Sequence, residues 1–412
     1  MGNGQSGSKE HDYDADAPVC FDHFQILRAI GRGSFGKVCI VQKKDSKVMY
    51  AMKYMNKRRT LEKASIRNVL REIDILINLD HPFLVNLWYT FQDEEDMFMV
   101  VDLLLGGDLR YHLDKLGKLP ANAVKLYVCE IGLALDYLQK KGIIHRDIKP
   151  ENVLLDEEGH VHITDFNIAA VMGPDVRYAA AISGTKPYMA PEVYDCIMDD
   201  FPGYSYPVDW WSLGITAYEL LRGKRPFEIH SNTSLADIRQ IHQSIPIQYP
   251  AVWDKTLIEM LSCLLTLNPQ ERTSNIESLA AQVYLSDINM EAVYKRQIKP
   301  EFIPPKDHLN CDPTFELEEM IIESNPLHKK KKRLAKQMSR KDLLEPAPDE
   351  AVVQAQLQDV AQQFKVFDRV IARREQLRRE QEQFIREISM EPEPSRRSAK
   401  KTSSDTGSTT DR

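Results

Sequence analysis

What the chain lacks narrows it first. Its six cysteines (Cys20, Cys39, Cys129, Cys196, Cys263, Cys311) are scattered through 412 residues without a C-x-x-C pair or any metal-ligand spacing. That excludes a disulfide scaffold and a thiolate zinc centre, and it fits a reducing compartment. Long hydrophobic runs are missing too. The longest apolar stretch, about Met97 to Leu105, falls far short of the ~20 residues that span a bilayer, and no signal-peptide core follows Met1. A cytoplasmic chain that does not cross a membrane is expected. Nor is there a basic excess: 54 Lys and Arg against 61 Asp and Glu give a net charge of -7. With no global positive field, a nucleic-acid partner is not expected.

What is present is enough apolar content, 42%, for one large core with appendages. Residues 1–23 are rich in Gly, Ser and Asp and are expected to be disordered. They open Met1-Gly2-Asn3-Gly4-Gln5-Ser6, which fits the acceptor pattern for N-myristoylation at Gly2; the other reading is an unmodified flexible start. From Phe24 to about Arg110, β-branched and aromatic residues alternate as in strands, interrupted by one helix in which Ile66, Val69, Ile73, Leu76 and Leu79 repeat at helical spacing. From Ala121 to Tyr284 the spacing is helical, with long segments over 124–139, 208–221 and 253–265. A small β-rich lobe followed by a large helical one makes an α+β fold, with its main domain over 24–284.

Beyond it the composition turns to proline and charge. Residues 285–327 contain Lys299-Pro300-Glu301-Phe302-Ile303-Pro304-Pro305 and an acidic stretch near Phe315, and read as an extended tail lying on a surface. Residues 328–340 carry Lys329-Lys330-Lys331-Lys332-Arg333, a solvated charge run, an anionic-lipid patch or a nuclear-import signal. Over 341–390 a helix is expected, with Val353, Leu357, Val360, Phe364, Phe367 and Ile371 alternating four and three apart as a heptad-like seam. Back-docking on the core is the commoner outcome for so short a seam. Residues 391–412 carry no apolar content and are expected to be disordered.

Three clusters carry chemistry. The stretch Ile30-Gly31-Arg32-Gly33-Ser34-Phe35-Gly36-Lys37-Val38 contains G-x-G-x-x-G-x-V, whose glycines let backbone N–H groups approach phosphates. A dinucleotide-binding turn shares those glycines but opens a helix, whereas strand-like sequence continues here. Ala51-Met52-Lys53 follows on the next strand, and Glu72 on the helix after it could pair with Lys53. The third cluster is His145-Arg146-Asp147-Ile148-Lys149-Pro150-Glu151-Asn152, then Asp165-Phe166-Asn167. Phosphoryl transfer needs an oriented hydroxyl, metals bridging phosphates, and positive charge where oxygens become negative. Asp147 would accept the hydrogen bond of the incoming hydroxyl and Lys149 would sit on the transferring phosphate. Asn152 and Asp165 offer oxygen ligands suited to Mg²⁺, with Mn²⁺ as a second fit.

With these pieces in order, the chain resembles the eukaryotic protein kinases over roughly 24–284. The resemblance implies a bilobal fold and ATP as phosphoryl donor. Val38, Ala51 and Leu154 would sandwich adenine, with Ile30, Gly31, Gly33 and Gly36 over the nucleotide and the hinge from Asp102 to Leu104 bonding it. It implies a spine through Leu76, Leu87, His145 and Phe166, a pair between Glu192 and Arg272, and an anchor for the catalytic loop at Asp209. Lys149 marks the serine/threonine class, hence protein substrates with Ser or Thr acceptors. The tail looks like that of the AGC group, and the chain is similar to the YANK family within it, which shares Asp165-Phe166-Asn167, the phrase from Phe98 to Arg110 and the basic stretch.

Several points depart from the general pattern. Asn167 replaces a glycine; asparagine tolerates positive φ best among other residues, so the turn is expected to form. Ala181 stands where many AGC kinases carry an activating phosphothreonine, so Arg146 would lack a phosphate partner, with Ser183 and Tyr178 as remaining acceptors. No C-terminal hydrophobic motif with paired aromatics stands out. Asp108, Glu151 and Glu219 fall where basophilic AGC kinases bind arginines, while Lys186 and Lys224-Arg225 add positive charge. A pseudokinase scaffold would lack Lys53, Asp147 or Asp165, and all three are present.

Overall fold

The computed structural model describes residues 18–32, 36–173, 175–197, 202–308, 310 and 348–390. Expectations for Gly2, Gly33, the acidic stretch near 315, the basic run 329–333 and the two end segments lie outside the described residues.

The small lobe is a meander. β1 (Phe24–Arg32), β2 (Lys37–Lys43) and β3 (Met49–Asn56) pair antiparallel, followed by α1 (Lys57–Glu62) and α2 (Ile66–Ile77), then the β4 (Leu87–Gln92) and β5 (Asp96–Val101) hairpin. The strand order β1-β2-β3-β5-β4 puts β3 in the middle, with Lys53 opposite Val38 on one side and Met99 on the other. The helical period read from the sequence is realised in α2, where Val69, Glu72, Ile73 and Leu76 are buried at three- and four-residue spacing. That one buried face fixes which way Glu72 points.

The large lobe is built on α4 (Ala121–Lys140) and α6 (Pro207–Arg222), after α3 (Leu109–Leu116). Nearly every residue of α6 is buried, as expected of a helix hydrophobic all round. It ends at Gly223, whose φ of 81° and N–H bond to the Glu219 carbonyl close the last turn. Between α4 and α6 run β6 (Ile143–Ile144), the β7 (Val153–Leu155) and β8 (Val161–Ile163) hairpin, β9 (Ala170–Val171) and the short α5 (Pro191–Tyr194). The loop from β6 to β7 therefore carries residues 145–152 at the lobe junction. α7 (Leu235–Ser244), α8 (Lys255–Leu264), α9 (Ile276–Ala280) and α10 (Met290–Tyr294) complete the lobe.

After α10 the chain is extended, as its proline content suggests. Phe302 meets the His112 ring edge-on at 5.0 Å, and the Asn310 amide donates to the carbonyls of Leu105 (3.1 Å) and Pro305 (2.8 Å), so this stretch reaches the hinge. Gly159 is required where it passes, because a Cβ there would lie 2.2 Å from the Phe302 oxygen.

One expectation about the C-terminal segment needs correction. It is not one helix: α11 (Pro348–Gln363) stops, β10 (Phe367–Asp368) follows, and α12 (Arg369–Met390) begins anew. Val360 and Phe364 are buried in the core, and Phe367 packs against the same cluster. β10 adds antiparallel to the open edge of β4, Phe367 opposite Thr90, while the Thr90 hydroxyl donates to the Lys365 carbonyl at 2.6 Å. The edge strand offers unpaired backbone groups that a helix could not satisfy, and this is why the seam breaks after Gln363. Residues 370–390, the body of α12, belong to a separate compact unit, with Leu377, Phe384 and Ile385 at its surface.

Candidate active site

Glu72 and Lys53 meet in a closed pair: the Lys53 ammonium donates to both carboxylate oxygens of Glu72, at 3.0 and 3.1 Å. Burial works to lower the Lys53 pKa, yet Glu72 and Asp165 together hold it above its ordinary value, so it stays charged. Burial also pushes Glu72 up, against the pull of Lys53, with the negative charge of Asp165 adding to the rise. The Lys53 ammonium is thus bonded to one carboxylate and lies in the field of a second. The local balance is negative, which suits a divalent cation.

The loop from β6 gathers the rest. Asp147 is held through both oxygens: Oδ2 accepts from the Lys149 ammonium (2.7 Å) and the Asn152 amide (2.9 Å), and Oδ1 from the N–H (3.0 Å) and hydroxyl (2.6 Å) of Thr185. Burial alone would raise the Asp147 carboxyl, but Lys149 and Thr185 outweigh it and hold it below the usual carboxylate value. Lys149 also donates to the Thr185 hydroxyl at 2.7 Å. Thr185 therefore ties the activation segment, the stretch ahead of α5, to the loop.

Asn152 gives its amide hydrogens to Asp147, which leaves its carbonyl oxygen as an acceptor. Asp165 adopts φ of 67° and Arg146 φ of 70°, strained values for such residues, of the kind that cluster at functional sites. Asn167 is not among the positive-φ residues of the chain; the residue taking that conformation is Asp165. The turn forms without the freedom a glycine would supply, and Asn167 is buried. The donor set of Asn152 and Asp165 fits Mg²⁺, which typically takes one or two carboxylates and completes its shell with phosphates and water.

The supports fall as expected. Asp209 accepts from the backbone N–H of His145 (2.7 Å) and Arg146 (2.8 Å), and the His145 ring meets Phe166 edge-on at 4.8 Å. Leu76, Leu87 and Phe166 share one buried cluster. Arg272 grips Glu192 with two bonds, at 2.6 and 2.9 Å, a bidentate geometry that fixes direction as well as charge.

Of the residues expected around adenine, Ala51 is buried and Ile30, Val38 and Leu154 are half-buried. Gly36 is dictated by crowding, since a Cβ would sit 2.2 Å from the Tyr54 oxygen. At the hinge, the Asp102 carboxylate accepts from the Trp88 indole at 2.6 Å and from Asn86, and its N–H donates to the Asn86 carbonyl. The side chain and the N–H of Asp102 thus tie this segment to Asn86 and Trp88.

One contact was not anticipated. The Arg146 guanidinium donates to the Tyr204 hydroxyl (3.1 Å) and the Ile168 carbonyl (2.6 Å), and that hydroxyl donates to the Ala181 carbonyl at 2.5 Å. Tyr204 lies far along the chain from both, and no local signal marks it.

Comparison with known proteins agrees with this geometry. Residues 24–285 match the protein kinase domain family. Human serine/threonine-protein kinase 32B is 58% identical over 373 residues, 90% of this chain and 90% of that protein, and human serine/threonine-protein kinase 32C is 53% identical over 88% of this chain and 75% of that protein. The chain belongs to the serine/threonine-protein kinase 32 family. A more distant likeness, to the RAC family serine/threonine-protein kinase homolog of Dictyostelium discoideum, is 36% identical over 71% of this chain and 65% of that protein, in keeping with an AGC-related kinase. As a member, the chain has the bilobal α+β kinase fold and is a serine/threonine protein kinase that uses ATP and Mg²⁺ on Ser and Thr of protein substrates.

Proposed function

We propose that Asp147 orients the acceptor hydroxyl and takes its proton as the oxygen bonds the γ-phosphorus, while the β–γ bridging oxygen leaves with ADP. Lys149 meets the transferring phosphoryl, Lys53 holds the α and β phosphates, and Asn152 and Asp165 would hold the metal, which would supply positive charge for the phosphate oxygens; Mn²⁺ suits the same oxygen donors. Ile30, Gly31, Gly33, Gly36, Val38, Ala51, Leu154 and the hinge at Asp102 and Leu104 hold the nucleotide. The observation that carries this reading is the closed Lys53–Glu72 pair coexisting with an Asp147 held through both oxygens. Incubation with γ-labelled ATP and a generic acceptor protein, followed by phosphoamino-acid analysis, should yield labelled serine or threonine. Label on tyrosine alone, or on no residue, would overturn it.

The reading extends to regulation. The Arg146–Tyr204–Ala181 contact supports an activation segment ordered without a phosphate at Ala181. A cytoplasmic enzyme tethered reversibly at the membrane rests on the sequence: the Gly2 acceptor pattern and Lys329 to Arg333. One acyl chain binds only marginally, so the basic run acts as the second signal, and phosphorylation at the nearby Ser339 would weaken it. Myristoylated protein should sediment with vesicles containing anionic lipid and come off with salt, Gly2→Ala protein should not bind, and Ser339→Glu should bind less. Equal sedimentation of wild type and Gly2→Ala would refute the tether.

A further inference from the structure

The acidic groups flanking the base are already satisfied from within the chain. The Arg110 guanidinium, at the start of α3, donates from Nε to Glu151 Oε1 (2.9 Å) and from Nη2 to Glu219 Oε1 (3.0 Å) and the Tyr188 hydroxyl (2.7 Å). Tyr188 in turn donates to Glu219 Oε2 at 2.6 Å, and Arg225 approaches Glu219 at 3.6 Å. Asp114, one turn along α3, approaches the same guanidinium at 3.6 Å, and Asp108 accepts from the Tyr111 N–H as the cap of α3. Burial favours a neutral Arg110, but Tyr188, Glu219 and Glu151 hold its charge more firmly than usual. The cluster borders the acceptor position: Glu151 belongs to the loop that carries Asp147 and Lys149, and Tyr188 follows Thr185 by three residues.

These fork contacts are those an arginine of a bound peptide would make with Glu151 and Glu219. We infer that Arg110 is a specificity-determining residue that fills this acidic subsite, so that the enzyme selects against a basic side chain beside the acceptor and accepts a neutral or acidic one. A peptide cation arriving there would find both carboxylates engaged and meet the like charges of Arg110 and Arg225, and a misplaced like charge at a contact surface is costly. The inference rests on the protein-kinase reading of the site and adds the class of peptide it takes.

The test is an arginine scan: one serine peptide with Arg placed in turn at each of four positions on either side of the acceptor, each compared with its Gln counterpart by kcat/KM using full-length enzyme. For the wild type, no position should favour Arg over Gln. In Arg110→Ala, one position should favour Arg by about tenfold or more, the range of a hydrogen bond to a charged group, and adding Glu151→Gln should remove most of that gain. Glu151→Gln alone should leave the wild-type ratios within about twofold; should Arg110→Ala fail to fold, this variant carries the test. A wild type that prefers Arg, an Arg110→Ala enzyme with unchanged ratios, or a Glu151→Gln enzyme whose ratios depart from the wild type by clearly more than about twofold would each overturn the inference. Phosphorylation with unchanged ratios overturns it alone, whereas no transfer to any peptide overturns the kinase reading and this inference with it.

Discussion

Tyr204 sits between Arg146 and Ala181. Its hydroxyl links the guanidinium of Arg146 to the backbone at Ala181, the position where the sequence led us to expect a missing charge. A hydroxyl in a largely buried place is a weaker partner than a phosphate but needs no other enzyme to install it. Tyr204→Phe removes both bonds while keeping the ring packed, so it should lower stability by about 1 kcal/mol and slow phosphoryl transfer several-fold, with KM for ATP little changed. Thermal unfolding and steady-state kinetics check this; kinetics equal to wild type would show that the contact does not order the segment. At this scale the sequence was most legible where chemistry is local. Asp147, Lys149 and Asn152 lie within one short loop, and Lys53 and Glu72 were found by following a strand into a helix. Thr185 and Tyr204 were not, because their partners are set by tertiary approach and neither sits in a pattern of its own.

Among elements, α2 carries Glu72 to Lys53, so under the proposed function its position governs activity. The C-terminal segment braces the same region: Lys365 pairs with Asp74 on α2 at 2.8 Å, and the Gln92 amide donates to the Ala361 carbonyl at 2.8 Å. Arg369, 4% exposed in its side chain, donates to the carbonyls of Leu79 (2.6 Å) and Leu87 and pairs with Asp80 at 3.0 Å. A buried arginine that satisfies backbone oxygens is costly to remove, because those oxygens are left without a partner. Phe364→Ala should cost about 3 kcal/mol through the cavity it leaves, and Arg369→Ala a comparable amount; each should loosen α2 and reduce kcat. Urea unfolding monitored beside activity checks both, and a stable, fully active Phe364→Ala enzyme would contradict the bracing. Periodicity identified the helix around Glu72 and the apolar positions of α11, yet missed the break at 364–368. A three-and-four spacing continues formally through Phe364 and Phe367, and only the unpaired edge of β4 decides that the backbone becomes a strand there.

For the molecule as a whole, the lobes follow from composition: alternating β-branched and aromatic residues first, helical spacing after. What the composition could not give is how the described tail contributes to the core, with Phe302 and Asn310 at the hinge side and Phe364 and Arg369 at the far edge of the small sheet. The central claim is that this enzyme is competent as synthesised, its lobes, activation segment and C-terminal brace assembled without an added phosphate. The direct measurement is the rate of phosphoryl transfer from MgATP to a protein acceptor by phosphatase-treated full-length enzyme, with Lys53→Met and Asp147→Ala beside it. The account predicts that the treated wild type keeps its rate while both variants fall by about a hundredfold or more. A rate abolished by the phosphatase, or variants that match the wild type, would contradict it.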